Sequence, residues 1–301
     1  MINGNIVLCD ISRHNGKVDF VKMKSAGADG VVIRGSMGEG GVDERWAENY
    51  AGAKSAGLLV GMYHLFFPEL SQPGQVANIK LQTQNRPLDF PIVLDAEMTR
   101  SCTPAQITAG LLYVARNTPR VRGRNPMIYT RSTWWRVNVL PRAEWEQYPL
   151  WIAMYNDSVY HPWTGQPAGY HPRDWERWQL WQYSADGNGR GPEFGGGSTS
   201  MDLSRFNGTP AEFGRWLGLD APAPEPVPAP DPGERMRVTV NSLRLRNAPN
   251  LLGAVIGSLP QDEIVEILDR PIVWVKVRRS NGQVGYAAQT YGGETYLEQA
   301  G

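Results

Sequence analysis

Four carboxylates stand where short apolar runs end. Asp10 closes NIVLCD at 5–10, Asp95 and Glu97 close PIVLDAE at 91–97, and Asp202 lies in the last such run, at 200–203. Side chains alternate between the two faces of a strand. Val93, Asp95 and Glu97 therefore share one face, and Ile92, Leu94 and Ala96 the other. Two carboxylates so placed stand about 7 Å apart at their Cβ atoms. Like charges at that range repel, which raises one pKa and leaves the other group ionised. One protonated and one ionised carboxyl is the division of labour that glycoside hydrolysis needs. The spacing does not choose between retaining and inverting geometry. A bare Asp-x-Glu also describes a solvated turn after a strand. Two further strand-end carboxylates, in a region rich in Trp and Tyr, favour the chemical reading.

Other catalytic signatures are missing. There is no GxSxG elbow and no HExxH, and GAKS at 52–55 lacks the earlier glycine of a phosphate-binding loop. The four histidines (His14, His64, His161, His171) have no metal-ligand spacing, and no CxxC occurs. No metal or other cofactor is expected. His64, beside Tyr63 at the end of the third strand, reads either as a hydrogen-bonded structural histidine or as a substrate contact. It is carried with the candidate contacts. Cys9 alternates away from Asp10 and reads as core, and Cys102 as a bystander; two cysteines cannot build a disulfide framework.

These residues need a scaffold that brings strand ends together. Strand patterns fall at 5–10, 30–34, 58–64, 91–97, 126–130, 149–155, 178–183 and 200–203, with helices expected at 18–26, 43–56, 72–84, 104–118 and 209–217. Such alternation implies a parallel sheet. Eight strands in this length fit a small or irregular (β/α) barrel, whose sites lie at the C-terminal strand ends. An open doubly wound sheet is the alternative. The stretch 220–233 holds six prolines in fourteen residues, the composition of an extended polyproline spacer. It divides the chain into 1–219, a Pro-rich linker 220–233, and 234–301, where short alternating strands with Asn, Gly and Pro turns predict one small all-β barrel.

The first part resembles the glycoside hydrolase family 25 lysozymes, the Chalaropsis-type N-acetylmuramidases. The likeness runs in order through DISRHNG at 10–16, GVVIRGSMG at 30–38, VDERWAENYAGAKSAGLLVGMYHLF at 42–66, VLDAE at 93–97, MIYT at 127–130, LWIAMY at 150–155, LWQYS at 180–184 and MDLSRFNG at 201–208. It implies an α/β fold, an irregular TIM-like (β/α) barrel of five β/α units and then three strands. It implies Glu97 as general acid, Asp95 orienting the substrate's N-acetyl group or stabilising an oxocarbenium, Asp10 and Asp202 completing an acidic floor, and Tyr63, Tyr129 and Gln182 lining the cleft. It suggests retention, with either the substrate's acetamido group or an aspartate as nucleophile. The run GPEFGGGSTS before Asp202 departs from the pattern and leaves that loop's geometry open. Residues 236–299 resemble bacterial Src-homology-3-like domains, which implies docking on the cell wall, with Trp274 and Tyr286 as natural contacts.

Composition sets the limits. Of 301 residues, 30 are Lys or Arg and 30 Asp or Glu, so the formal charge is zero, which argues against bulk electrostatic capture of nucleic acid or anionic membrane. Eleven Trp and twelve Tyr provide flat surfaces that pack cores or stack on sugars. Trp151 and Trp181 read as packing; Trp134, Trp135, Trp163 and Trp175 are the candidates for a stacking wall. The opening MINGNIVLCDIS has no basic or long apolar leader, and no run reaches the roughly 20 apolar residues of a membrane helix. The expectation is a monomeric endolysin acting on bacterial peptidoglycan. It would be made in the host cytoplasm without a signal peptide and then released through a holin, or be carried on the virion. A non-catalytic wall-binding protein and a hydrolase of another polysaccharide are the alternatives.

Overall fold

The computed structural model describes residues 6–155, 172–185, 189–219, 235–246, 255–269, 274–288, 290–291 and 294–299. The chain divides into two units, Met1–Ala221 and Pro222–Gly301. In the first, β1 (Val7–Ile11) leads through α1 (Phe20–Ser25) to β2 (Gly30–Met37) and a short β3 (Gly41–Val42). Then follow α2 (Trp46–Ser55), β4 (Leu59–Leu65), α3 (Gln72–Thr83), β5 (Val93–Asp95), α4 (Pro104–Asn117), β6 (Met127–Arg131) and α5 (Ser132–Asn138). Three strands, β7 (Leu150–Ala153), β8 (Leu180–Ser184) and β9 (Asp202–Phe206), precede α6 (Pro210–Leu217).

The sheet closes on itself. β1 pairs in parallel with β2 and antiparallel with β9, so the order β1-β9-β8-β7-β6-β5-β4-β2 returns to its start. This is the expected irregular barrel of five β/α units and three further strands, and closure excludes the open sheet. One correction follows. The sheet is not wholly parallel, because β9 runs antiparallel to both neighbours. Among the described residues no helix lies between β8 and β9, and an antiparallel return needs none. The helix α5 completes the fifth unit, at a place where the sequence pattern gave no helix. Three helix starts are set by side-chain caps: Ser71 caps α3, Thr103 with Gln106 boxes α4, and Thr209 with Glu212 boxes α6, each with proline in the first turn.

Strand alternation splits the core in two. Outward residues such as Cys9, Ile33, Met62, Leu94 and Ile128 pack against the helices. Inward residues Ile6, Leu8, Val32, Phe90, Val93, Met127, Trp151, Leu180 and Phe206 fill the barrel.

In the second unit, β10 (Arg235–Val238), β11 (Ser242–Arg246), β12 (Val255–Pro260), β13 (Ile264–Asp269), β14 (Trp274–Arg278), β15 (Val284–Ala288), β16 (Thr290–Tyr291), β17 (Glu294–Thr295) and β18 (Leu297–Gln299) form an all-β fold. Its main sheet has the order β12-β11-β15-β14-β13-β10-β18. Met236, Val238, Leu245, Leu259, Val265, Val275 and Val277 belong to its core. This is the expected small Src-homology-3-like barrel.

Candidate active site

One step beyond the apolar filling, at the C-terminal ends of the parallel strands, the inward positions turn polar. Asp10, Tyr63, Val93, Asp95, Glu97, Tyr129, Trp151 and Asp202 line a cleft of about 110 Å³. All four expected carboxylates meet there, with Tyr63 and Tyr129. Asp10 and Asp202 are direct cross-strand partners on β1 and β9. The Gly-rich run before β9 makes this possible. Gly195 accepts from Asp19 N and Gly197 donates to Asn15 O, so the loop lies flat against the segment after β1. A Cβ at Gly195 (φ 75°) would come within 2.2 Å of Asp19 O, so no larger residue fits there.

The formal strand β5 ends at Asp95, short of Glu97. Its alternation persists, because Ala96 N donates to Tyr129 O while Ala96 O accepts from Thr130 Oγ1. Ala96 thus points into the outer core and Glu97 returns to the cleft. The two carboxyl groups sit in different surroundings. Asp95 is buried, and its Oδ1 has no hydrogen-bond partner. Glu97 lies at the rim with its side chain 32% exposed and Arg131 3.8 Å away.

Gln182 is the hub of the ring. Its Nε2 donates to both oxygens of Asp10 at 3.0 Å, and its Oε1 accepts from the hydroxyls of Tyr129 and Tyr155, each at 2.8 Å. It is buried, with its amide used inside the protein. Burial pushes Asp10 up to about 6, opposed by the hydrogen bonds from Gln182 and Asp202. Burial also raises Asp95 well above the usual carboxylate range; Glu97 and Asp10 add to the rise, and Arg34 and Arg131 oppose it. Tyr63 and Tyr129 are raised by burial as well, and so remain neutral hydroxyls.

His64 does not join the cleft. Tyr63 faces inward, so its neighbour faces the helices and is fully buried. Gln75 Oε1, which already accepts from Phe67 N, lies 3.2 Å from Nε2, and Ser36 Oγ lies 2.7 Å from Nδ1. The ring therefore donates from Nε2 and accepts at Nδ1, as a neutral imidazole. Burial lowers its pKa to about 4, against the hydrogen bond to Gln75. Of the expected stacking tryptophans, Trp135 and Trp175 are buried and packed on Trp145. Trp134 is half-buried against the outer core, and Trp163 lies outside the described residues. Trp151, read as packing, does double service as the cleft floor, edge-on to Tyr129.

Tyr155, Arg34 and Arg131 were not singled out from sequence. Each ends an inward-facing series, Trp151–Ala153–Tyr155, Val32–Arg34 and Tyr129–Arg131, so the period-2 rule that found Asp95 could have found them. A wider depression of about 430 Å³ involves Arg142, Glu146, Arg173 and Trp175, in the loops before β7 and β8. That is the end of the strands opposite the carboxylates. Among the described residues no cluster of His, Cys, Asp and Glu is arranged to hold a metal ion, and no helix is long and apolar enough to cross a membrane. In the second unit Tyr286 is half-buried on β15, while its neighbours Gly285 and Ala287 are buried. Trp274 opens β14, but its side chain lies outside what is described.

The model of glycosyl hydrolases family 25 matches residues 9–192, and that of the bacterial SH3 domain matches 241–292. Lysozyme M1 of Streptomyces globisporus is 28% identical over 218 residues, covering 67% of this chain and 68% of that protein. The uncharacterized protein YegX of Escherichia coli O157:H7 is 27% identical over 209 residues, covering 67% and 70%. The crystal structure of the bacterial lysozyme from Streptomyces coelicolor superposes with a TM-score of 0.59 at 25% identity, covering 72% of this chain and 97% of that one. Since the first of these matches spans more than half of the sequence and its barrel is the one observed, the chain belongs to glycosyl hydrolases family 25 and is a glycoside hydrolase.

Proposed function

We propose that the enzyme is an N-acetylmuramidase that hydrolyses the β-1,4 bond between N-acetylmuramic acid and N-acetylglucosamine in bacterial peptidoglycan. One observation carries the reading: Asp95 and Glu97 share a face at the mouth of the barrel, one sunk in the floor and one at the rim. Glu97, in reach of solvent and substrate, protonates the leaving glycosidic oxygen. Asp95 faces the charge that develops as the bond breaks. Burial works against its anion, whereas a cationic sugar ring or oxazolinium favours it. The interaction is therefore stronger in the transition state than in the ground state, as catalysis requires. The cleft is small, which suits an N-acetyl arm reaching down while the ring lies across the mouth against Tyr63, Tyr129 and Tyr155. Asp10 and Asp202, tied through Gln182, keep that floor in shape.

The biological role that best fits is a phage or prophage endolysin, made in the host cytoplasm and reaching the wall after holin release or from a virion. The Pro-rich segment joining a hydrolase to a bacterial SH3 domain supports it. In this reading the second unit docks on the wall through the face that carries Tyr286, with Trp274 on the neighbouring strand β14, opposite Ala288. Digestion of purified peptidoglycan with mass spectrometry of the new ends tests the specificity. Reducing-end muramic acid is expected. Reducing N-acetylglucosamine, new amino termini, or turnover only on another polysaccharide would each overturn it.

A further inference from the structure

Among the described residues Arg34 is the buried cation of the barrel interior. It follows Val32 on the inward face of β2 and lies level with Tyr63 on β4, which lies level with Val93, two residues before Asp95. Its Nε donates to Asp43 Oδ2 at 2.7 Å. Asp43 has its side chain fully buried, and it also accepts from the backbone N–H groups of Arg13 and Arg45, each at 3.0 Å. The carboxylate is thus fixed from three sides and clamps the guanidinium in one place. That leaves Arg34 Nη2 buried without a hydrogen-bond partner, and Asp95 Oδ1 is in the same condition. A buried cationic donor and a buried carboxyl oxygen both cost desolvation energy when left unmatched. Both stand on the inward face of the barrel, Arg34 level with the position two residues before Asp95.

We propose that Arg34 is a positioning residue for Asp95: held by Asp43, its guanidinium keeps Asp95 available as a carboxylate within the buried floor of the cleft. The assignment rests on the role given to Asp95 above. Among the described residues, the other charged groups that act on Asp95 are Glu97, Asp10 and Arg131. Glu97 on its own segment and Asp10 on β1 disfavour the anion. Arg131 on β6 favours it, but stands exposed at the rim. Asp202 on β9 and the hydroxyls of Tyr63, Tyr129 and Tyr155 complete the ring. Arg34 is therefore the cation shielded from solvent, whose influence salt and substrate do not screen away.

The test is a carbon-13 NMR titration of the Asp95 carboxyl in the full chain, assigned with Asp95→Asn and repeated in Arg34→Met and Arg34→Lys. The double variant Arg34→Met/Asp43→Asn serves where loss of the guanidinium alone leaves Asp43 buried and unpaired. The expected result is an Asp95 titration moved upward by about one pH unit or more without the guanidinium, the scale on which a neighbouring cation acts on a carboxylate. Lysine should shift it less than methionine. The acid limb of the kcat profile should move the same way, with KM little changed. An unmoved Asp95 titration in a folded Met variant, single or double, makes Arg34 only the partner of Asp43 and overturns the proposal. So does a moved titration with an unmoved pH–rate profile. The titration needs no turnover, so a wild-type enzyme that releases no muramic acid ends would sink the reading of the reaction and leave the Arg34–Asp95 coupling separately measured.

Discussion

The barrel interior holds two layers built by the same strands. The lower is apolar: Leu8, Val32, Val93, Met127, Trp151, Leu180 and Phe206 interlock with no polar demand beyond the Trp151 indole, which donates to Ser204. The upper, reached by moving two residues along several of those strands, contains Asp10, Arg34, Asp95, Tyr129 and Gln182. Backbone geometry is common to both. What differs is that the upper layer spends folding energy on groups that would be better hydrated, while the lower layer supplies it. The fold therefore tolerates the site because a few steps of apolar packing lie beneath it, and the two layers should respond oppositely to substitution.

Within the two layers, the largest expected effect tests that opposition directly. Asp95→Asn should lower turnover by roughly 10²–10³-fold, the scale seen when one transition-state stabilising group is removed. The same variant should raise the melting temperature at pH 7.5. Its folded pKa lies above the unfolded value near 3.8, so ionisation costs stability once the pH exceeds that value, and the advantage of Asn should vanish in acid below it. Thermal melts at the two pH values check the sign. Leu8→Ala, in the lower layer, should do the reverse. It should cost about 2–5 kcal/mol in denaturant melts, with kcat per folded molecule retained.

The outer layer offers a third kind of site, a polar group fully satisfied and apart from the chemistry. His64 is held neutral with a pKa of about 4 against 6.5 when exposed. The unfolded chain takes up the proton first, so stability should fall as the pH drops from about 6.5 to about 4, by about 3 kcal/mol in all. His64→Gln should flatten that slope while leaving activity at neutral pH in place. Chemical denaturation at pH 7 and pH 4.5 checks it. The smallest expected effect concerns the wall. Both folded parts are close to neutral, so binding to peptidoglycan should depend only weakly on added salt. A steep loss in pull-down assays would show that charge, not stacking and hydrogen bonding, does the recognising.

Much of the upper layer was legible because an apolar strand that ends in a carboxylate is a conspicuous pattern. Asp10, Asp95 and Glu97 follow from alternation alone. Asp202 was found in the last strand run, but its direct opposition to Asp10 was not, since that depends on an antiparallel last strand that no local signal announces. For His64 two readings stood open, and with Tyr63 inward strand periodicity turns it toward the helices and decides for the structural one. The tryptophans were harder. Trp135, Trp145 and Trp175 come together from three separate segments whose packing no strand or helix periodicity announces. The tie of Gln182 to Asp10 spans 172 residues and is likewise a property of the closed barrel.

The measurement closest to the central claim is made on Glu97→Gln. The substitution keeps the shape of the rim and removes the proton that the leaving oxygen requires. Hydrolysis of purified peptidoglycan should fall by about 10²–10⁴-fold, the contribution of a general acid, with the melting temperature and wall binding unchanged. A Glu97→Gln enzyme that releases reducing-end muramic acid at the wild-type rate would take Glu97 out of the mechanism and contradict the account.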